Sequence, residues 1–252
     1  MSKHDFAITP PLMNAAGSLS FSPDRHSPVD WSKLGAFVTN PVSLLPRTPA
    51  RGTRYVPYPG GFLLHTGYPN PGMVQVLRRY ARQWGGSPIP VIVHLLAQNV
   101  DEVMKMARQL EPVEGLTGLE VGLPSEATLE VVGAFTQAAA GELPVIVRLP
   151  LERAVELAPL AMNSGASAIS LAAPRGAFVD HSGGWVQGRM YGPSVFPLSL
   201  RAVYELTRLG IPTIGAGGMY TQEDRDAMLA AGALAVQLDY NLWREAGYRI
   251  LL

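Results

Sequence analysis

Eight short apolar runs punctuate the sequence, most of them followed by a stretch with apolar residues at helical spacing. No linker or break in composition divides them. Together these features predict an α/β fold of (β/α)8 type, a TIM barrel, with residues 1–252 forming one domain. Runs that are apolar at consecutive positions suit a parallel sheet covered on both faces. An open doubly wound sheet is the alternative, but no GxGxxG follows the first run.

The elements follow in order. Residues 11–17 and 35–39 are the first two strands. A loop rich in Pro, Arg and Gly then runs over residues 41–71. It is too long for an ordinary connection, so a small hairpin is expected inside it, with Phe62, Leu63 and Leu64 on one strand. Pro71 starts a helix in which Met73, Val74, Leu77, Tyr80, Ala81 and Trp84 recur, and Gly85 and Gly86 end it. Residues 90–95 are a strand, and Asn99 is the N-cap of a helix over 100–110. The unit repeats with a strand at 118–121 and a helix at 125–140, then a strand at 144–149 and a helix at 151–163. A strand at 168–172, a glycine-rich loop at 174–193 and a helix at 197–209 come next. The seventh strand starts at 211 and runs into the glycines at 215, 217 and 218, before a helix over 222–231. The eighth strand is 234–238, and a short tail follows.

Composition narrows the chemistry. Of 252 residues, 47% are hydrophobic and 16% charged, enough apolar material for a sizeable core. The formal net charge is zero, which leaves no electrostatic footprint for nucleic acid or an anionic membrane. There is no cysteine, which excludes disulfides and thiolate chemistry. Lysines occur only at Lys3, Lys33 and Lys105, none on a predicted strand, which argues against Schiff-base chemistry. Met1 to Asp5 carry no apolar signal core, and no apolar run reaches membrane-spanning length, so a soluble cytoplasmic protein is expected.

In such a barrel the site lies where strands end. Asn14, Asn40, His94, Glu120, Arg148, Arg175 and Asp239 stand there, a base, acids and a fixed cation in one cleft. Each has a plainer reading. His94 is a hydrogen-bonded core histidine, Glu120 and Arg148 are a structural ion pair, and Thr39, Asn40 and Pro41 are turn residues. The glycines at 215–218 let backbone N–H groups face an anion at a helix start. No metal site is expected.

Residues 11–17, 35–47, the run Gly67-Tyr68-Pro69-Asn70-Pro71-Gly72, Tyr191-Gly192-Pro193 with Leu200 to Tyr204, and 215–218 resemble the dihydroorotate dehydrogenase family in order and spacing. Members of that family are FMN-dependent (β/α)8 barrels that oxidise dihydroorotate to orotate in pyrimidine synthesis. The resemblance implies that Ala15, Ala16 and Gly17 line the flavin ring. It implies that Arg148 stands for a lysine near the flavin N1/O2 edge, and His94 for a flavin-contacting asparagine. Gly192, Gly217 and Gly218 match the phosphate site.

The departures matter equally. Asn40 replaces a lysine near the flavin. Leu64 and Ala173 replace substrate-binding asparagines. Ser125 falls on the position of the catalytic base, in a shortened loop; the competing reading is that it is the N-cap of the following helix. Asp239 and Tyr240 replace the glycine and hydroxyl residue that complete the phosphate cradle. A carboxylate about 4 Å from a phosphate charge costs roughly 4 kcal/mol at an effective dielectric near 20.

Three readings follow. The first is a flavin-dependent oxidoreductase of this family acting on a CH–CH group, its substrate altered. The second is a family-derived barrel that has lost FMN and binds another small ligand. The third is a non-catalytic partner subunit, or a homo-oligomer, using the apolar tail with Trp243, Tyr248, Ile250, Leu251 and Leu252.

Overall fold

The computed structural model describes residues 8–24, 26–27, 29–124 and 126–243. In chain order the elements begin with β1 (Leu12–Asn14), β2 (Phe37–Val38), β3 (Tyr55–Tyr58), β4 (Gly61–Leu64) and α1 (Met73–Gly85). They continue with β5 (Val91–Leu96), α2 (Val100–Leu110), β6 (Leu116–Gly122), α3 (Leu129–Ala139), β7 (Val145–Pro150) and α4 (Ala154–Asn163). Then come β8 (Ala168–Ala172), β9 (Arg175–Val179), β10 (Trp185–Tyr191), α5 (Phe196–Arg208), β11 (Thr213–Ala216), α6 (Gln222–Ala230) and β12 (Ala235–Leu238).

Eight strands pair in parallel in the order β1-β12-β11-β8-β7-β6-β5-β2. A parallel bridge between Met13 and Ala36 joins the two ends, so the sheet closes into the (β/α)8 barrel that the sequence predicts. Because β1 and β2 are short, the seam needs help from a side chain. The Asn14 amide supplies it: Nδ2 donates to the Val38 carbonyl at 2.7 Å, and Oδ1 accepts from the Val38 N–H at 2.9 Å. One amide thus stands in for a peptide group of the missing ladder.

The helices start where short polar caps allow. Asn99 accepts from the Glu102 N–H at 3.0 Å, as its position predicts. Thr221 and Asp224 form a reciprocal capping box at the start of α6. The expected start of α3 at Ser125 is corrected. The helix begins at Leu129, and Thr128 is its cap, accepting from the Val131 N–H at 3.3 Å. A turn closed by the Ala127 N–H on the Pro124 carbonyl precedes it.

A second sheet covers part of the mouth. The hairpin β3–β4 forms inside the long loop, as expected, with Phe62 to Leu64 on β4. The segment read as a glycine-rich loop is a second hairpin, β9–β10, and the four strands pair antiparallel in the order β3-β4-β10-β9. Its glycines permit contact rather than marking a loop: a Cβ on Gly188 would lie 2.5 Å from the Leu64 carbonyl oxygen. Val56, Leu63 and Val186 form the small core of this sheet.

The inward faces of the barrel strands follow the two-residue period. Ile92, Ile146, Ala168, Ile214 and Ala235 belong to one buried apolar cluster. Two residues further along their strands stand His94, Arg148, Ser170, Ala216 and Gln237, joined by Glu120 of β6. The inner core therefore gives way to a polar layer just below the mouth.

Candidate functional site at the barrel mouth

Glu120 is the centre of that layer and is wholly buried. Its Oε1 accepts from Ser170 Oγ and from Gln237 Nε2, each at 2.7 Å. Its Oε2 lies 2.6 Å from His94 Nδ1 and 3.9 Å from Arg148 Nη1. Burial alone would push this carboxyl up. The contact with His94, the Arg148 charge and the Gln237 hydrogen bond overcome it and hold the group well below the usual carboxylate range. Burial pushes His94 the other way, below 6.5, against the pull of Glu120. A neutral imidazole facing an ionised carboxylate must carry its proton on Nδ1, because Glu120 is an acceptor only. The other nitrogen, Nε2, is then a bare lone pair. It faces Gly122, where a Cβ would lie 2.8 Å from it, so the glycine at 122 leaves it room.

Arg148 sits beside this pair, 8% exposed. Burial lowers its affinity for the proton, but Glu120 and the tyrosines at Tyr68, Tyr191 and Tyr240 more than compensate, so the guanidinium stays charged. Its Nε is buried with no hydrogen-bond partner among the described residues. His94 and Arg148 line a cavity of about 200 Å³ together with Tyr68, Gly122, Arg175 and Arg189. Arg189 is partly engaged: Nη1 donates to the Ala173 carbonyl at 3.1 Å, and its guanidinium lies 5.6 Å from the centre of the Tyr68 ring. Tyr68 is held at φ 52°, a left-handed conformation that a bulky residue adopts only when its surroundings enforce it. Glu126 and Glu152 form the exposed rim.

Of the residues expected at the site, His94, Glu120, Arg148 and Arg175 come together, and Asn14 is spent on the barrel seam. Asn40 is half-buried, and its N–H donates to the Ser20 carbonyl at 2.7 Å. The Asn70 motif is structural: its amide binds Ser43 Oγ at 2.9 Å and the Gly72 N–H at 3.0 Å, stapling the loop to the start of α1. His65 is exposed on a neighbouring cavity of about 170 Å³, and His181 is exposed at the β9–β10 turn. Ser125 and the tail residues Tyr248, Ile250, Leu251 and Leu252 lie outside the described residues, as does the side chain of Trp243. Ser170 and Gln237 are additions that the reading of motifs missed. Counting by two along each strand from a buried charged residue would have found them. Among the described residues, no group of three or more His, Asp or Glu is placed to hold a metal ion.

The residues present do not fit FMN in the place the resemblance implies. Ala15 and Ala16, the expected floor of the ring, are 3% and 8% exposed, covered by protein. The Tyr240 hydroxyl lies 3.5 Å from where a Cβ on Gly17 would be. Tyr240 meets Tyr191 edge-on at 4.8 Å, and Phe62 stacks on Tyr191 at 5.5 Å. These rings form one buried cluster with Ala173. Burial pushes the Tyr240 phenol up to about 12, so it stands there as a neutral hydroxyl. The phosphate glycines are packed closely on the side where a Cβ would stand. A Cβ on Gly217 would lie 2.8 Å from Ser199 Oγ, and one on Gly218 would lie 2.3 Å from the Phe196 nitrogen. A Cβ on Gly192 would likewise lie 2.4 Å from the Gly60 carbonyl oxygen. Asp239, 9% exposed, is a carboxylate directly after β12.

The chain matches the dihydroorotate dehydrogenase family over residues 3–250. It is 31% identical over 250 residues to the catalytic subunit of dihydroorotate dehydrogenase B (NAD+) of Desulforudis audaxviator, covering 90% of this chain and 80% of the relative. The corresponding subunit of Pyrococcus furiosus is 30% identical over 254 residues, with 90% and 82% covered. Dihydroorotate dehydrogenase A (fumarate) of Lacticaseibacillus paracasei is 30% identical over 256 residues, with 92% and 87% covered.

Proposed function

The chain belongs to the dihydroorotate dehydrogenase family, and from that premise we propose that it is a rebuilt member, a barrel that binds a small carboxylate at its mouth without FMN in the family's place. Arg148 carries this reading. It is a buried cation lining a cavity of about 200 Å³, and its Nε has no hydrogen-bond partner among the described residues. A charge taken out of water is costly until a counter-charge and hydrogen bonds complete its shell. Glu120 at 3.9 Å answers the charge but leaves the planar fork of donors available to a carboxylate. The cavity is below the roughly 300 Å³ at which pockets for larger ligands begin, which suits a compact acid. Leu96, Leu123, Pro150 and Ala172 provide an apolar wall against which the rest of the ligand packs.

Orotate is the convenient probe, being a small planar carboxylate. Calorimetric titration is expected to show binding to the wild-type chain and a loss of about 10- to 100-fold in Arg148→Met. That is the range for a hydrogen bond to a charged group. Equal affinity in the two proteins would remove the reading. The purified chain is expected to be colourless and to take up no FMN when incubated with an excess of it.

A second reading keeps FMN-dependent oxidation of a CH–CH group, with Arg148 beside the reduced flavin and Ser125 as base. Family membership over almost the whole chain favours it. A yellow protein, or FMN uptake at one per chain, decides for it. Two of the relatives are named as catalytic subunits, which supports a partner subunit for this chain as well; light scattering on the purified chain establishes which copies it assembles with by itself.

A further inference from the structure

Resting on the carboxylate-binding reading, we infer that His94 is the acid–base residue of this cavity and Glu120 its positioning residue, serving proton transfer at a carbon beside a carbonyl of the bound acid. The geometry supplies each part. Glu120 is fixed by three hydrogen-bonding partners from three strands, and it fixes the ring of His94 through Nδ1 at 2.6 Å. That leaves Nε2 bare, seated against Gly122 in a residue that lines the cavity. A base within reach of a cavity whose neighbouring cation binds the acid group has both elements that proton abstraction requires.

The step balances without an oxidant. The C–H bond beside the carbonyl breaks, and its proton moves to His94 Nε2. The electron pair stays on the ligand as an enolate, stabilised by Arg148. The imidazolium that forms is held by Glu120, whose negative charge is already in place. Return of the proton, to the same carbon or to a neighbouring one, regenerates the neutral histidine. The class of reaction is therefore enolisation, with hydrogen exchange at that carbon or double-bond migration as its net outcome. Glu120, Arg148 and Arg189 act on His94 directly. Tyr68, Arg175 and the exposed Glu126 and Glu152 complete the charged and titratable groups around the cavity. Glu120 raises the affinity of His94 for a proton, while burial and the two arginines lower it.

The test follows deuterium incorporation by proton NMR with the full chain in D2O. Pyruvate and dihydroorotate are the probes, since each has a carboxylate and protons on carbon beside a carbonyl. Exchange is expected above the buffer rate with at least one probe. It should fall by 100-fold or more in His94→Asn. In Glu120→Gln the plateau should drop several-fold, and the acid limb of the pH profile should move to lower pH. A merely structural role for Glu120 would not shift that limb. Nitrogen NMR of the wild-type chain at neutral pH is expected to show His94 protonated on Nδ1 and bare on Nε2. A proton on Nε2, exchange unchanged in His94→Asn, or no exchange with either probe overturns the inference. Orotate calorimetry on the same samples separates the two failures. Binding retained while exchange is absent leaves the carboxylate site standing; binding absent as well removes both.

Discussion

Glu120 holds four partners in place, so its loss is felt well beyond one contact. Glu120→Ala leaves the His94 N–H, Ser170 hydroxyl and Gln237 amide without their acceptor and Arg148 without its counter-charge. A destabilisation of about 3–5 kcal/mol is expected, the usual result of breaking a buried pair from one side, measured by urea unfolding. The same network makes the fold acid-sensitive. Both His94 and Glu120 have depressed folded pKa values, so the unfolded chain takes up protons first as pH falls. Stability from His94 is complete above 6.5 and declines below it, and stability from Glu120 is complete above 4.5 and declines below that. The urea midpoint should therefore fall from pH 7 to pH 4. His94→Asn should flatten the upper part of that slope, and an unchanged slope would refute the neutral assignment. Asn14 is the other single residue on which much depends. Asn14→Ala should cost about 2–4 kcal/mol, since the Val38 N–H and carbonyl both lose a buried partner.

At the scale of elements, the caps make the sharpest expectations. Thr128→Ala should destabilise by about 1 kcal/mol, the usual worth of a hydroxyl cap. Ser125→Ala should change stability by less than about 0.5 kcal/mol, because α3 starts four residues later; chemical denaturation of the pair checks both. The N-cap at Ser125 looked attractive in the sequence because Pro124 and Glu126 flank it as they would flank a helix start. Thr128 offers the same chemistry, with Leu129 and Val132 resuming the apolar spacing behind it, and sequence gives no local reason to choose between two caps three residues apart. The β9–β10 hairpin was hidden for a different reason. Gly176, Gly183, Gly184 and Gly188 read as loop punctuation, whereas Gly176 and Gly188 are where neighbouring strands or side chains come too close for a Cβ. That closeness exists only once Leu64 and Met190 are in position.

For the whole molecule, the question is what fills the mouth. Tyr240, Tyr191 and Phe62 join the last turn, β10 and β4 into one aromatic plug, so the second sheet and the end of the barrel close the same space. Replacing both Asp239 by Gly and Tyr240 by Thr removes the carboxylate and the ring together. The double variant should gain FMN affinity, read by quenching of flavin fluorescence, if these two residues are what excludes it. No gain would show that Asp239 and Tyr240 are not what excludes it. By itself the sequence determined the eight-strand barrel, most helix positions, the family pattern and the cluster of His94, Glu120 and Arg148 at one end, because strand period, capping chemistry and motif spacing are local properties of a chain. Only the tertiary structure decided that Ser170 and Gln237 complete the Glu120 shell, that the Arg148 Nε has no partner among the described residues, and that Tyr240 lies over Gly17. Those facts depend on residues distant in sequence meeting across a closed barrel, and no local pattern records which of them will touch.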